Sequence, residues 1–235
     1  MKQTFLVLIS FLIMPFSFSQ LIETVNINAE KDGAFKSQLN NFEIHGTVIK
    51  KQKTGNWTST FPSGMLYEFV QFKADKREGI YLLFDRSGYL EKQANYADGK
   101  LEGELTEWKP GGRMMLLENY TKGELDGQRK VFYERGQLQE ESFYKAGLRE
   151  GKTSWFDEDS KLIATYNYKN GLFEGVQQTY FPNGNVKSSR SYSMNKLHGP
   201  AKDYREDGTI FKQANYVDNI LEGEWLEFDE NGKQK

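Results

Sequence analysis

Residues of the types that do chemistry are sparse in this chain and regularly spaced. An acid stands directly before a glycine at Glu78, Glu102, Asp126, Glu150, Glu174 and Glu222, and His198 interrupts the row. Such a row suits cations or a basic partner. It equally suits a solvated rim that fixes register, because salt screens most of the repulsion between charges about 9.5 Å apart. Asp157, Glu158 and Asp159, and later Asp229, Glu230 and Asn231, invite a calcium reading. Neither set has the alternating ligands of a calcium loop, and turns favour Asp and Asn anyway. His45 and His198 are the only histidines, more than six repeats apart, and cysteine is absent. Neither a histidine-based triad nor a histidine or thiolate metal site is expected. Paired carboxylates would need a deep cleft. The chain reads as non-enzymatic, with no catalytic, metal or cofactor residues.

Its rings fall into two populations. Phe72, Tyr96, Tyr120, Tyr144, Tyr168, Tyr192 and Tyr216 stand seven residues before a glycine, and Phe84, Trp108, Phe132, Phe156, Tyr180, Tyr204 and Phe228 five after one. These rows could stack on sugars or a partner, but a chain this polar has little else to bury, so they are expected in the core. Tyr67, Phe69, Tyr81, Tyr89, Phe143, Trp155, Phe211 and Trp225 stand outside both rows. They are the candidate partner-binding residues, since aromatic rings anchor protein contacts well.

The elements that position these residues follow from glycine. Gly55, Gly79, Gly103, Gly127, Gly151, Gly175, Gly199 and Gly223 are spaced by 24 without a slip. A fixed period of this length means a repeat array. A second slot holds Gly64, Gly88, Gly112, Gly136, Ser160, Gly184, Gly208 and Gly232; a third holds Asp75, Gly99, Gly123, Gly147, Gly171, Asn195 and Asn219. These are residues that turns with positive φ accept. Two turns per unit leave two short strands, so the expected fold is all-β: an elongated, single-layer antiparallel meander of β-hairpins, some 15 strands and roughly 70 Å long.

Side-chain parity adds a constraint. With Phe84, Leu90, Tyr96 and Leu101 on one face, strict alternation sends Trp108, the repeat mate of Phe84, to the other. One residue per unit must be absorbed, and a one-residue bulge at or beside Gly79, Gly103, Gly127, Gly151 and Gly175 is the expectation. Tyr96 would then cover the bare backbone of Gly103.

The pattern of Tyr96, Gly99, Leu101, Glu102, Gly103 and an aromatic five residues on, then Asn-Gly or Asp-Gly and Leu90, Met114, Leu138, Leu162, Val186 or Ile210, resembles the MORN repeat. It looks most like the bacterial MORN-repeat variant, whose members are often labelled antitoxin-like. The resemblance covers about 55–235 and departs from the pattern at Thr60, Ser160 and His198. It implies a β-hairpin ribbon for protein or membrane contact, without catalysis in the repeats.

Ahead of the array, Lys2, the apolar run 5–14 and Ser17, Phe18 and Ser19 before Gln20 have the plan of a secretory signal over 1–19. The run is too short to span a membrane. Residues 20–54 read as an atypical N-terminal cap, irregular up to Asn41, with Val48 in the ring slot. The array is 55–235. Loss of Lys2 takes the formal charge from −2 to −3, so neither nucleic acid nor anionic lipid is an expected partner. The expectation is an exported protein, periplasmic or extracellular and not lipid-anchored, that binds another protein. Carbohydrate or cell-wall binding and an antitoxin-like role are the alternatives. Self-association through an unpaired C-terminal edge at 224–228 is a further expectation.

Overall fold

A computed structural model describes residues 21–27 and 31–235, so the expected signal at 1–19 lies outside the described residues. A short helix, α1 (Leu21–Thr24), precedes the strands. The chain then runs through β1 (Gly33–Leu39), β2 (Phe42–Ile49), β3 (Gln52–Thr60), β4 (Leu66–Lys73), β5 (Lys76–Phe84), β6 (Leu90–Ala97), β7 (Lys100–Leu101), β8 (Gly103–Lys109), β9 (Arg113–Thr121) and β10 (Glu124–Phe132). It continues through β11 (Leu138–Lys145), β12 (Leu148–Arg149), β13 (Gly151–Phe156), β14 (Leu162–Lys169), β15 (Leu172–Phe173), β16 (Gly175–Tyr180), β17 (Val186–Ser193), β18 (Lys196–Tyr204), β19 (Ile210–Val217) and β20 (Ile220–Glu227). All belong to one antiparallel sheet in which each strand pairs with its neighbours in sequence. The pairs β7/β8, β12/β13 and β15/β16 are halves of interrupted strands: both halves lie against the same preceding strand, β6, β11 and β14 respectively.

Both turns of the unit are as expected. Asp98 and Gly99 close β6 to β7 with φ of 51° and 81°, and the pair Ala74 and Asp75 repeats this at 49° and 65°. Two successive left-handed residues make the two-residue hairpin whose twist matches the strands. At the second turn the Gly88 N–H donates to the Asp85 carbonyl at 3.1 Å, with Gly88 at φ 83°. Successive first turns are stitched together, since Gly99 N–H donates to Arg77 O at 2.9 Å and Gly123 N–H to Leu101 O at 2.8 Å.

The bulges recur where expected, but their sizes differ. Val70 pairs with Tyr81 and Phe72 with Arg77, so three residues around Gly79 oppose Gln71 alone. The same offset recurs at Gly127, and the strand breaks directly before Gly103, Gly151 and Gly175. This glycine bulge absorbs two residues and leaves parity unchanged. The single residue that shifts parity lies after the second turn: Leu83 pairs with Lys92 and Phe84 with Leu90, stranding Glu91. Phe84 and Trp108 are therefore on the face opposite Tyr96, not on the same one. Nor does Tyr96 cover Gly103, whose missing Cβ would meet nothing within 4 Å.

The N-terminal segment also differs from expectation. β1 and β2 form a full hairpin, with Leu39 opposite Phe42 across Asn40 and Asn41 at φ 50° and 68°, so the stretch before Asn41 that was expected to be irregular carries β1. At the other end Lys235 N–H donates to Glu227 O at 2.9 Å and Phe228 bridges Gln234. The last residues thus return against Glu227 and Phe228, while the rest of β20 pairs with β19 alone, so the edge expected at 224–228 is covered only at its end.

Candidate functional site

The sheet face that carries the Tyr96–Tyr216 row changes character along its length. Over β2–β6 it is apolar, with Ile44, Val48, Trp57, Val70, Phe72, Tyr81, Leu83 and Ala94 in one buried cluster. Leu21, Ile22 and Val25 belong to the same cluster, because α1 packs on this face against β3 and β4. A four-residue helix is too short to be stable alone; its place is fixed by the groups beneath it. The Ile22 N–H donates to Glu68 Oε2 at 3.0 Å, and Arg77 Nε lies 2.6 Å from Glu23 Oε1. Lys53 Nζ donates to the Glu23 carbonyl at 3.0 Å. Burial pushes the Glu68 carboxyl up to about 7 and lowers the Lys53 ammonium. The Arg77 guanidinium lies over Tyr81 and Tyr96, 5.0 and 4.8 Å from the ring centres.

Beyond β8 the same face becomes a chain of ion pairs framed by rings. Tyr120 donates to Glu118 Oε2 at 2.6 Å, and Arg129 Nε to Glu118 Oε1 at 2.8 Å. Arg129 Nη1 lies 3.3 Å from Glu140 Oε2, and Arg149 Nη2 lies 2.8 Å from Glu140 Oε1. Arg149 stands within 5.3–5.6 Å of the centres of Tyr144, Trp155 and Tyr168. Burial opposes the Arg129 charge, but the Glu118 bond and the Glu140 carboxylate outweigh it and raise its pKa. Burial likewise pushes the Tyr168 phenol up to about 12. Further along, Tyr166, Phe173 and Tyr192 form a run of ring contacts at 5.3–5.5 Å.

The eight rings expected to bind a partner do not form one surface. Tyr81 is buried, only 1% exposed, so it is a core residue and not a contact. It stands two residues after a first-slot glycine, as Trp57 and Trp225 do, and this position points into the ring-bearing face. Trp155 shares that face and packs on Tyr166 at 4.9 Å, and Trp225 packs edge-on against Tyr216. Phe69 and Phe143 alternate onto the opposite face, where Phe143 is 42% exposed. Tyr67 and Phe211 are the stranded residues after second turns: Tyr67 packs against Phe42 and Phe61, and Phe211 lies beneath Arg205 and Lys212. Tyr89 is exposed beside a turn. Sequence reasoning missed Arg129, Glu140 and Arg149; their signal was an arginine in a slot that is apolar in most other units, with an acid nine residues before it.

The acidic row has a structural role. Glu78 accepts the Asp98 N–H at 2.8 Å, Glu102 the Lys122 N–H at 2.7 Å, Glu150 the Asn170 N–H at 2.8 Å and Glu174 the Met194 N–H at 2.8 Å. Each acid thus holds the first turn of the next unit. The Asp157 and Asp229 carboxylates are taken up within their own turns, each accepting two backbone N–H groups. Among the described residues no group of three or more His, Cys, Asp or Glu is placed to hold a metal ion, and no helix is long and apolar enough to cross a membrane.

With turns, bulges and period in place, comparison with protein families is decisive. The model described as MORN repeat variant matches five segments: 125–146, 149–170, 173–193, 197–218 and 221–233. Residues 125–233 are MORN repeat variants. MORN repeats are generally interaction modules, not catalytic units, and the residues around Arg149 are shared between the first and second matched segments. The same turns and pairing recur back to β3, ahead of the matched segments. A comparison with curated proteins finds no match to the chain.

Proposed function

We propose that this protein is an exported, non-enzymatic MORN scaffold that binds another protein on its ring-bearing face, beyond the stretch covered by α1. One observation carries the reading. The chain's own residues 21–25 already lie on this face over β3 and β4, held by backbone and side-chain contacts of the kind a foreign segment would make. Past them the face offers desolvated arginine–carboxylate pairs framed by aromatic rings, the residue types that anchor protein contacts. The near-neutral formal charge supports a protein partner over nucleic acid or anionic lipid.

The test uses photo-crosslinking residues placed singly at Tyr144, Tyr168 and Phe143 in cells producing the full chain. Adducts of one protein from Tyr144 and Tyr168, with none from Phe143, are expected. Adducts from Phe143 alone, or retention on a glycan array with no protein adduct, would replace this reading with the opposite face or with carbohydrate binding. Export is tested by fractionation: mature protein lacking 1–19 belongs in the envelope or medium, and intact chain confined to the cytoplasm would refute it.

A further inference from the structure

Glu68 and Arg77 hold α1 from positions eleven and two residues before a first-slot glycine. Across the eight units those two positions read Ile44 and Lys53, Glu68 and Arg77, Lys92 and Leu101, Leu116 and Leu125, Glu140 and Arg149, Ala164 and Phe173, Ser188 and Leu197, and Lys212 and Leu221. An acid with an arginine occurs twice, 72 residues apart, which is three periods. The neighbours correspond too: Phe72 and Tyr96 become Tyr144 and Tyr168, and Leu83 becomes Trp155. In both places the guanidinium lies over row rings, Arg77 over Tyr96 and Arg149 over Tyr144 and Tyr168.

The two sites differ in what covers them. Under α1, Arg77 reaches out to Glu23, and Glu68 accepts the Ile22 N–H. At the second site α1 is absent, and Arg149 Nη2 closes onto Glu140 at 2.8 Å. Glu140 is 5% exposed, and the Ser142 hydroxyl beside it is fully buried without a hydrogen-bond partner. Buried polar groups ordinarily find partners, so an unmet one marks a place where a donor or acceptor is missing. Should Arg149 turn outward as Arg77 does, Glu140 stays paired to Arg129 at 3.3 Å and gains room for a backbone N–H.

Resting on the reading that this face takes protein, we infer that Glu140 and Arg149 form a second segment-binding site. Its occupant is a partner segment with two adjacent aliphatic residues followed by an acid, the chemistry of Leu21, Ile22 and Glu23. The aliphatic pair packs among Leu116, Leu125 and Trp155, a backbone N–H meets Glu140, and the acid meets the Arg149 fork. Leu125 replaces Lys53 and Arg129 replaces Trp57, so the second site carries the same number of cations but lacks the buried tryptophan of the first, and its occupant binds more weakly.

The probe is the peptide Leu-Ile-Glu-Thr-Val-Asn-Ile, acetylated and amidated, titrated into the isotope-labelled full chain and followed by amide NMR. Saturable shifts in β11–β14 are expected. Replacing the peptide's Glu by Gln, or making Arg149→Ala, should each weaken binding about tenfold, a loss of about 1.4 kcal/mol. Arg149→Lys serves if the alanine variant does not fold; it keeps the charge but not the fork, and its loss should be smaller. Shifts confined to β3–β5, equal affinity for the Glu and Gln peptides, or no saturable binding would overturn the inference. If the peptide fails while Tyr144 and Tyr168 still crosslink a protein, the face reading stands and only the segment chemistry falls.

Discussion

The Glu68 carboxylate accepts the backbone N–H of Ile22 at 3.0 Å, so one buried acid ties α1 to the middle of β4. Burial raises its pKa from the usual value near 4.5 to about 7. The folded protein therefore binds a proton that the unfolded chain has lost between those two values. Stability from this group is complete below about pH 4.5 and falls as pH rises through 7, by on the order of 3 kcal/mol. Glu68→Gln keeps an acceptor for Ile22 and removes the titration. Its melting temperature should rise relative to the parent from pH 4.5 to 7.5, and a constant difference across that window would refute the assignment.

Gly46 lies in β2 under the Trp57 indole, and a Cβ there would overlap the ring. Gly103 has φ 80° but open space around its missing Cβ. The two glycines are thus required for different reasons, contact at one and backbone conformation at the other. Gly46→Ala should cost about 3 kcal/mol or more by displacing a fully buried tryptophan. Gly103→Ala should cost about 1–2 kcal/mol of left-handed strain. Urea titrations of the two variants decide it, and equal costs would mean that Trp57 moves aside freely.

Tyr81 and Trp225 occupy the same position two residues after a first-slot glycine, yet one is 1% exposed and the other 44%. Tyr81→Ala should cost about 3–5 kcal/mol. Trp225→Ala, which loses mainly its edge contact with Tyr216, should cost about 1 kcal/mol. Thermal melts that rank the two the other way would show that the core is centred near the C-terminal units.

The period, both turn types and the interruptions at the first-slot glycines were legible in the glycines, because left-handed backbone restricts residue choice so strongly. Which face each ring row takes was not. That depends on the stranded residue after each second turn, and those residues are Tyr67, Glu91, Met115, Gln139, Ile163, Lys187 and Phe211. They share no chemistry, since a one-residue bulge between two well-paired ends needs none. The docking of α1 was equally hidden: it is a single non-periodic contact, decided by Glu68 and Arg77 lying under the same segment. The Glu140 and Arg149 site could have been read only by asking which units carry an acid and an arginine together at these two positions.

The acids before the glycines make a prediction separable from charge alone. Glu150 accepts the Asn170 N–H at 2.8 Å, whereas Glu222, in the same slot, bonds the Asn215 side chain at 2.6 Å. Both are acids at one repeat position, so a purely solvated row would make their loss equivalent. A carboxylate that holds the next turn contributes about 1–2 kcal/mol, since the bond is charge-assisted but lies at the surface. Glu150→Ala should therefore lower stability by about that much and speed exchange of the Asn170 amide at least fivefold. Glu222→Ala should cost under about 0.5 kcal/mol. Hydrogen exchange at Asn170 that is unchanged in Glu150→Ala would return the whole row to the role of a soluble rim.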